Sequence, residues 1–146
     1  MKPISHVFMD WVVERLRSAI PAEWAEKVHL HDDRETDLAE LIFQNLNEGT
    51  GCCVAVSFPH VRKEGDPAPS NTQYRVQVEV GIVHNAVLLP ELSSHALAET
   101  LFRAFVGAEY ECGGFLAYDV GADNLNSTVN GAKQTHLFSV SYTITI

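Results

Sequence analysis

Strict alternation of apolar and polar residues marks two segments of the chain. Between Gln73 and His84 five apolar side chains alternate with polar residues or glycine, and residues 135–146 repeat the pattern to the end of the chain. A strand has this period of two because successive side chains point to opposite faces of a sheet. Both segments are therefore predicted to be strands with one buried and one exposed face, and we expect them to share one sheet.

Three other segments place apolar residues three and four positions apart, which is the spacing of an amphipathic helix. The first is predicted over residues 5–20, where Pro21 stops it, and a second, shorter helix follows a fair N-cap at Thr36 and ends by Gly49. The third is predicted over residues 94–106. For this helix Ser93 or Ser94 is the cap, and a glycine ends it.

Shorter segments complete the predicted elements. Residues 52–58 form an apolar, valine-rich run that is typical of a central strand buried on both faces, and residues 115–120 read as another strand. A small edge strand is predicted over residues 27–31. The proline-containing stretch 60–71 is predicted to be a long exposed loop, and the Asn- and Gly-rich stretch 121–134 a mobile loop.

The order of these elements predicts a single α+β domain over residues 1–146. Its mainly antiparallel sheet has about four main strands, because these fall in two pairs joined by loops, and helices pack on one face. The face that carries Arg75, Gln77 and Glu79 is then left free. The second face of the 52–58 strand and at least one sheet edge also need cover, which pairing between copies of the chain would provide.

Composition and charge narrow the class of protein. The chain is 46% hydrophobic and 20% charged, as in a globular domain, and it has no apolar run long enough for a membrane helix. Ten basic against nineteen acidic residues give a net charge of −9, which argues against binding nucleic acid by charge neutralisation. Three cysteines cannot all pair and the start of the chain is too short and polar for a signal peptide, so we expect a soluble intracellular protein.

One cluster has the side chains of a metal site. His29 and His31 would point the same way from a strand, and Asp32 or Asp33 could supply a carboxylate ligand. A small metal- or ligand-binding cytosolic domain built on these four residues is therefore the alternative function. The competing interpretation is a polar strand end that runs into a solvated turn, because no second ligand group follows at a recognisable spacing.

The other residues with potentially catalytic side chains do not specify an enzyme. Cys52 and Cys53 lack the two-residue spacer of a redox CxxC motif and are predicted to pack as small hydrophobic residues. Asp119 and Asp123 are two carboxylates without a recognisable partner, and no cofactor motif is present. We therefore expect no enzyme activity, although a site formed between subunits stays open.

The whole order of elements resembles the tail-terminator and tail-completion proteins of long-tailed phages, including the Mu-like group. The resemblance is carried by the N-terminal amphipathic helix, the helical segment that follows it and four later segments. These read GCCVAVSFP, TQYRVQVEVGIVHN, SSHALAETLFRAFVG and HLFSVSYTITI. The match covers nearly the whole chain as a pattern of elements with little fixed sequence.

The resemblance implies a small subunit that assembles into a ring, commonly a hexamer, and has no catalytic residues. Such a ring caps the tail tube, halts its growth and contacts the head connector, so the expected partners are copies of the chain and other phage tail and connector proteins. The implied location is the host cytoplasm during assembly and then the virion tail. The net negative charge suits a lumen that surrounds DNA without binding its sequence. From length and exposure we predict contacts near Arg62, Lys63 and Glu64, and near Asn124 and Asn126.

Overall fold

A twisted sheet of six strands carries the fold in a computed structural model, which describes residues 3–34, 37–64, 73–112 and 116–145. The strands run in the order β1-β2-β4-β8-β7, and β3 pairs with β4 beyond the end of β2. Their bounds are β1 Val28–Asp32, β2 Cys52–Val56, β3 His60–Glu64, β4 Gln73–Asn85, β7 Gly121–Asn130 and β8 Lys133–Thr145. A separate hairpin joins β5 Glu109–Cys112 to β6 Leu116–Asp119. The helices are α1 Ile4–Ala19, α2 Leu38–Asn47 and α3 Ser94–Arg103.

The two alternating segments form the centre of the sheet. β4 and β8 are antiparallel and stay in register from the Gln73 and Thr145 pair to the Asn85 and Lys133 pair. The prediction that both belong to one sheet is confirmed. Because side chains directly opposite each other share a face, Val80 meets Phe138 and Val78 meets Val140 on the buried side.

The core lies between this buried face and the helices α1 and α3. Phe8, Val12 and Leu16 of α1 and Leu101 of α3 have no exposed surface, as expected from their spacing on one helix stripe. Burying each of these side chains stabilises the fold by roughly 1.5–3 kcal/mol. The α3 cap is Ser93, whose Oγ accepts a hydrogen bond from the Ala96 N–H, so the predicted start of this helix is correct.

The sheet has more strands than the four predicted. His60–Glu64, expected within a loop, is the strand β3, and Gly121–Asn130, expected to be mobile, is the strand β7. Both lie at sheet edges with mostly exposed side chains, so neither has the hydrophobic alternation that reveals a half-buried strand. The rest of the predicted 60–71 loop, residues 65–71, lies outside the described residues.

The prediction of helices on one face only was wrong. The chain passes from β1 through α2 to β2, and β1 and β2 are parallel, which requires a crossover connection. α2 lies on the side opposite α1 and α3, where a groove of about 300 Å³ separates Leu38 and Ile42 from Ala55 and Gly81 of the sheet. The sheet is thus covered by two helices on one face and partly by one on the other.

The face expected to be free has its own contacts. Arg75 Nε lies 2.8 Å from Glu64 Oε1, and the Gln77 side-chain amide donates to Ser139 Oγ at 3.2 Å. Arg75 and Gln77 are half-buried and Glu79 is exposed. This face is therefore partly exposed to solvent around Arg75, Gln77 and Glu79, and α2 covers it around Ala55 and Gly81.

Three further predictions, each of a strand, can be compared with the structure. Val28–Asp32 is the predicted small edge strand, and β2 is buried and interior, between β1 and β4. The 115–120 strand is present as β6 from Leu116 onward, although its predicted entry at residues 113–115 lies outside the described residues. The predicted cap Thr36 also lies outside them, and α2 begins after Asp37 in a left-handed conformation with φ 56°.

Candidate functional site

His29 and His31 lie side by side on β1. Their rings are stacked with centroids 6.2 Å apart and planes 10° from parallel, so the two side chains do point the same way. They line a shallow groove of about 360 Å³ whose other wall is formed by Leu41, Gln44 and Asn45 of α2. Two histidines alone provide half of a tetrahedral metal site.

The two carboxylates of the predicted cluster, Asp32 and Asp33, accept hydrogen bonds from other groups of the chain. Asp32 Oδ1 accepts from Arg34 Nε at 3.0 Å, and Asp33 Oδ2 accepts from the backbone N–H of Phe58 at 2.7 Å. Burial alone would raise the pKa of Asp32, but the hydrogen bonds from Arg34 outweigh it and hold that pKa below its usual value. Within the described residues no three His, Cys, Asp or Glu side chains come together as metal ligands.

Arg62, Lys63 and Glu64 lie on β3, at the outer edge of one half of the sheet. Arg62 is paired with Arg75 across the strands, and Glu64 is the carboxylate that approaches both guanidinium groups, at 3.9 Å and 2.8 Å. Arg62 keeps 63% of its side chain exposed. The predicted contact region is therefore an ordered strand edge rather than a loop tip.

Asn124 and Asn126 lie at an irregularity in β7. The register with β8 shifts between Asp123 and Asn126, and Asn124 adopts φ 61°, a left-handed conformation that asparagine tolerates. The Asn126 amide donates to the Asn124 carbonyl at 3.0 Å, which fixes the bulge. Beyond it, five residues from Asn126 to Asn130 pair regularly with β8 and form the outer edge of the sheet.

The outer edges of β1 and β7 lie at opposite ends of the same rows of the sheet. One row runs from Val28 through Cys52, His84 and Gln134 to Val129. A second runs from Leu30 through Val54, Ile82 and His136 to Ser127. In the described part of the chain no strand pairs with the outer side of either edge.

The backbone of β1 offers hydrogen-bonding groups on its outer side. Asp33 donates its N–H to the Val56 carbonyl at 3.0 Å, which places the alternate residues His29 and His31 on the side facing β2. The backbone groups of Val28 and Leu30 then face away from the sheet. Open grooves of about 360 and 400 Å³ flank the strand on its two faces, so its edge is accessible.

A buried polar network lies beneath α3 and was missed in the sequence. Ser94 Oγ donates to Gln134 Oε1 at 2.8 Å and lies 2.9 Å from His136 Nε2, while Ser127 Oγ lies 2.7 Å from His136 Nδ1. A Ser–His pair of this kind can activate a nucleophile. Ser94 is fully buried, however, so no substrate reaches its hydroxyl. His136 lies two residues before Phe138 and four before Val140, so it shares their inward face of the strand. This spacing could have revealed the network in the sequence.

Cys52 and Cys53 are buried and unpaired on β2. Burial raises the pKa of the Cys52 thiol to about 12, with the neighbouring Cys53 adding to the effect, and burial alone raises that of Cys53 to about 11. Thiols in this environment stay protonated and therefore unreactive, which agrees with the predicted role of both cysteines as small packed side chains.

Comparisons with known proteins give a similarity in fold and no family. No family model and no curated protein matches the chain. Fourteen solved chains match it; one of these, designated only by a sequence number, has a TM-score of 0.51 and 18% identity over 91% of this chain and 95% of its own length. At that identity the likeness concerns the fold alone. Among the described helices none is long and apolar enough to cross a membrane.

Proposed function

We propose that this chain is a non-enzymatic structural subunit of a phage or prophage tail, and that it joins with copies of itself into a closed ring. The observation that carries the proposal is the pair of open strand edges at opposite ends of the same sheet rows. β1 and the regular half of β7 are each five residues long. An edge of one copy can therefore pair with the other edge of the next copy.

Contacts of this kind are heterologous, since each subunit uses two different surfaces. Repeating one such contact gives a ring if the rotation closes and a filament if it does not. Edge pairing also satisfies backbone groups that otherwise invite uncontrolled aggregation. The bulge at Asn124 shortens the regular edge of β7 that is available for pairing.

The tail-terminator role follows from the resemblance in the order of elements. In that role the ring, commonly a hexamer, caps the tail tube, stops its polymerisation and presents a surface to the head connector. Its partners are copies of itself, tail-tube proteins and connector proteins, and it passes from the host cytoplasm into the virion. The net charge of −9 supports a ring whose wall repels DNA and does not read its sequence.

The first test is the size of the assembly. Native mass spectrometry and light scattering of the purified full chain at rising concentration should show one discrete ring-sized species. A protein that stays monomeric at the highest concentrations overturns the proposal.

The second test concerns the tail. Phage tails assembled without this protein should have tubes of uncontrolled length by electron microscopy, and adding the purified protein early should restore a uniform length. Tubes of normal length in its absence would rule out the terminator role while leaving ring formation unaffected.

A further inference from the structure

We infer that copies of this chain join through a charge-matched contact, in which β3 of one copy lies against the outer face of the β5–β6 hairpin of the next. The inference rests on the proposed ring and names two of its contacting surfaces. It is carried by two cross-strand pairs of like charge, a basic pair at the β3 edge of the sheet and an acidic pair in the hairpin that leads into β7 at the other edge.

The hairpin has an apolar inner face and an acidic outer face. Tyr110 and Tyr118 are paired across it and turn inward, where Tyr110 packs 5.1 Å from Phe8 and 5.0 Å from Tyr142 between ring centroids. The alternate residues Glu109, Glu111 and Asp119 are exposed.

Glu109 lies directly opposite Asp119 in the hairpin. Two carboxylates in this position destabilise a pair of strands unless a positive charge approaches them. Among the described side chains, no Lys or Arg forms a salt bridge with Glu109, Glu111 or Asp119. The acidic face thus has no partner of opposite charge within its own subunit's described residues.

The opposite situation holds at β3. Arg62 lies directly opposite Arg75, and the carboxylate of Glu64 is shared between them. One negative charge against two positive ones leaves this end of the sheet basic. Lys63 adds a further positive charge, on the other side of the same strand.

β3 lies at one edge of the sheet, and the hairpin, which is not a strand of that sheet, runs directly into β7 at the opposite edge, because β6 ends at Asp119 and β7 begins at Gly121. Val61 of β3 pairs with Val76, which pairs with Tyr142 of β8, and the Tyr142 ring lies 5.1 Å from that of Tyr118 in the hairpin. A step from one copy to the next along this row therefore brings β3 toward the hairpin. The same step brings β1 toward β7, so the charged contact and the edge pairing belong to one interface.

Exposed apolar side chains beside the charges supply area to bury. Phe58 and Val61 are 47% and 52% exposed at the β3 edge, and Val106, just before the hairpin, is 59% exposed. An apolar patch with a charged surround is the usual composition of a specific protein interface. The occupant that this combination fits is a second copy of this chain, since the copy itself offers the matching charges.

The experiment is a charge swap on the full-length protein. Arg62→Glu and Glu109→Arg each place like charges across the contact, and each should weaken association about tenfold or more, because juxtaposed like charges cost several kcal/mol. The double variant, Arg62→Glu with Glu109→Arg, re-creates an opposite-charge pair between neighbouring copies and should recover part of the loss. Mixing the two single variants should also recover assembly. Circular dichroism checks that each variant is folded.

Matched controls have the same change of net charge at exposed sites away from both surfaces, namely Lys133→Glu at the start of β8 and Glu40→Arg on α2. Association of the wild-type protein should also weaken as salt is raised, since salt screens exposed charges. If the wild-type protein assembles and neither single reversal weakens it, or the double variant recovers nothing, the inferred contact is wrong and the ring survives. If the wild-type protein never assembles, both the ring and the contact are wrong.

Discussion

Ser94 and His136 meet in the interior, with Ser94 Oγ 2.9 Å from His136 Nε2, and the contact joins the first turn of α3 to the first part of β8. Ser94 donates its proton to Gln134, so it accepts the Nε2–H of His136, and Nδ1 accepts from the Ser127 hydroxyl. This assigns a neutral histidine with its proton on Nε2. The network links α3, β7 and β8 through side chains instead of backbone.

The adjacent serines provide a matched pair of substitutions. Ser94→Ala should lower the free energy of unfolding by about 1–3 kcal/mol, because the buried His136 and the half-buried Gln134 each lose a hydrogen-bond partner. Ser93→Ala removes an exposed helix cap and should cost about 1 kcal/mol. Urea unfolding of both variants measures the difference, and an equal or larger loss for Ser93→Ala would contradict the buried network.

The stability of the protein should depend on the protonation of His136. Burial lowers its pKa below the ordinary 6.5, with His95 and His84 adding to the effect. The unfolded chain therefore binds this proton more readily, so the free energy of unfolding should fall as the pH drops below about 6.5 and level off below the lowered pKa.

Urea unfolding across this pH range measures the effect. His136→Gln should have a shallower pH dependence than the wild type, whereas His60→Gln, at an exposed position, should keep it. A wild-type slope in His136→Gln would show that other groups are responsible.

Gly51 occupies a position that only glycine fits. Its φ is +92°, and an added Cβ would lie 2.8 Å from the Cβ of Leu88. Gly51→Ala should therefore destabilise the protein by about 2 kcal/mol or more, from backbone strain together with the clash. Gly131 also has a positive φ, +63°, but open space around it, so Gly131→Ala should cost only about 1 kcal/mol. Thermal unfolding compares the two, and equal losses would argue against the Leu88 contact.

The thiols of Cys52 and Cys53 should react slowly in the folded protein. Both are buried with raised pKa values, so alkylation at mildly alkaline pH should be at least about tenfold slower at these sites than in urea. Peptide mass spectrometry measures each site separately. Rapid labelling in the native state would mean that β2 opens easily or that the strand is not interior.

In the candidate site, the positions of the histidines could be predicted from local sequence, but the partners of the carboxylates could not. The parity of β1 placed His29 and His31 together, as the alternation of a strand requires. Nothing in the sequence tells that Asp33 binds the Phe58 N–H or that Asp32 binds Arg34, since these partners depend on how β1 ends beside β2. The charges of Arg62 and Glu109 could be identified in the sequence, but the placement of β3 at one edge of the sheet and of the hairpin beside the other could not.

The sequence by itself determined the helices α1 and α3, the strands β4 and β8 and their buried faces. Each of these elements has one apolar and one polar side, and the resulting periodicity is visible in a short stretch of sequence. Only the tertiary structure decided the parallel pairing of β1 with β2, the position of α2 on the second face, and the strands β3 and β7 at the edges. β3 and β7 have mostly exposed side chains and are stabilised by the backbone of a neighbouring strand, an interaction that leaves no side-chain pattern in the sequence.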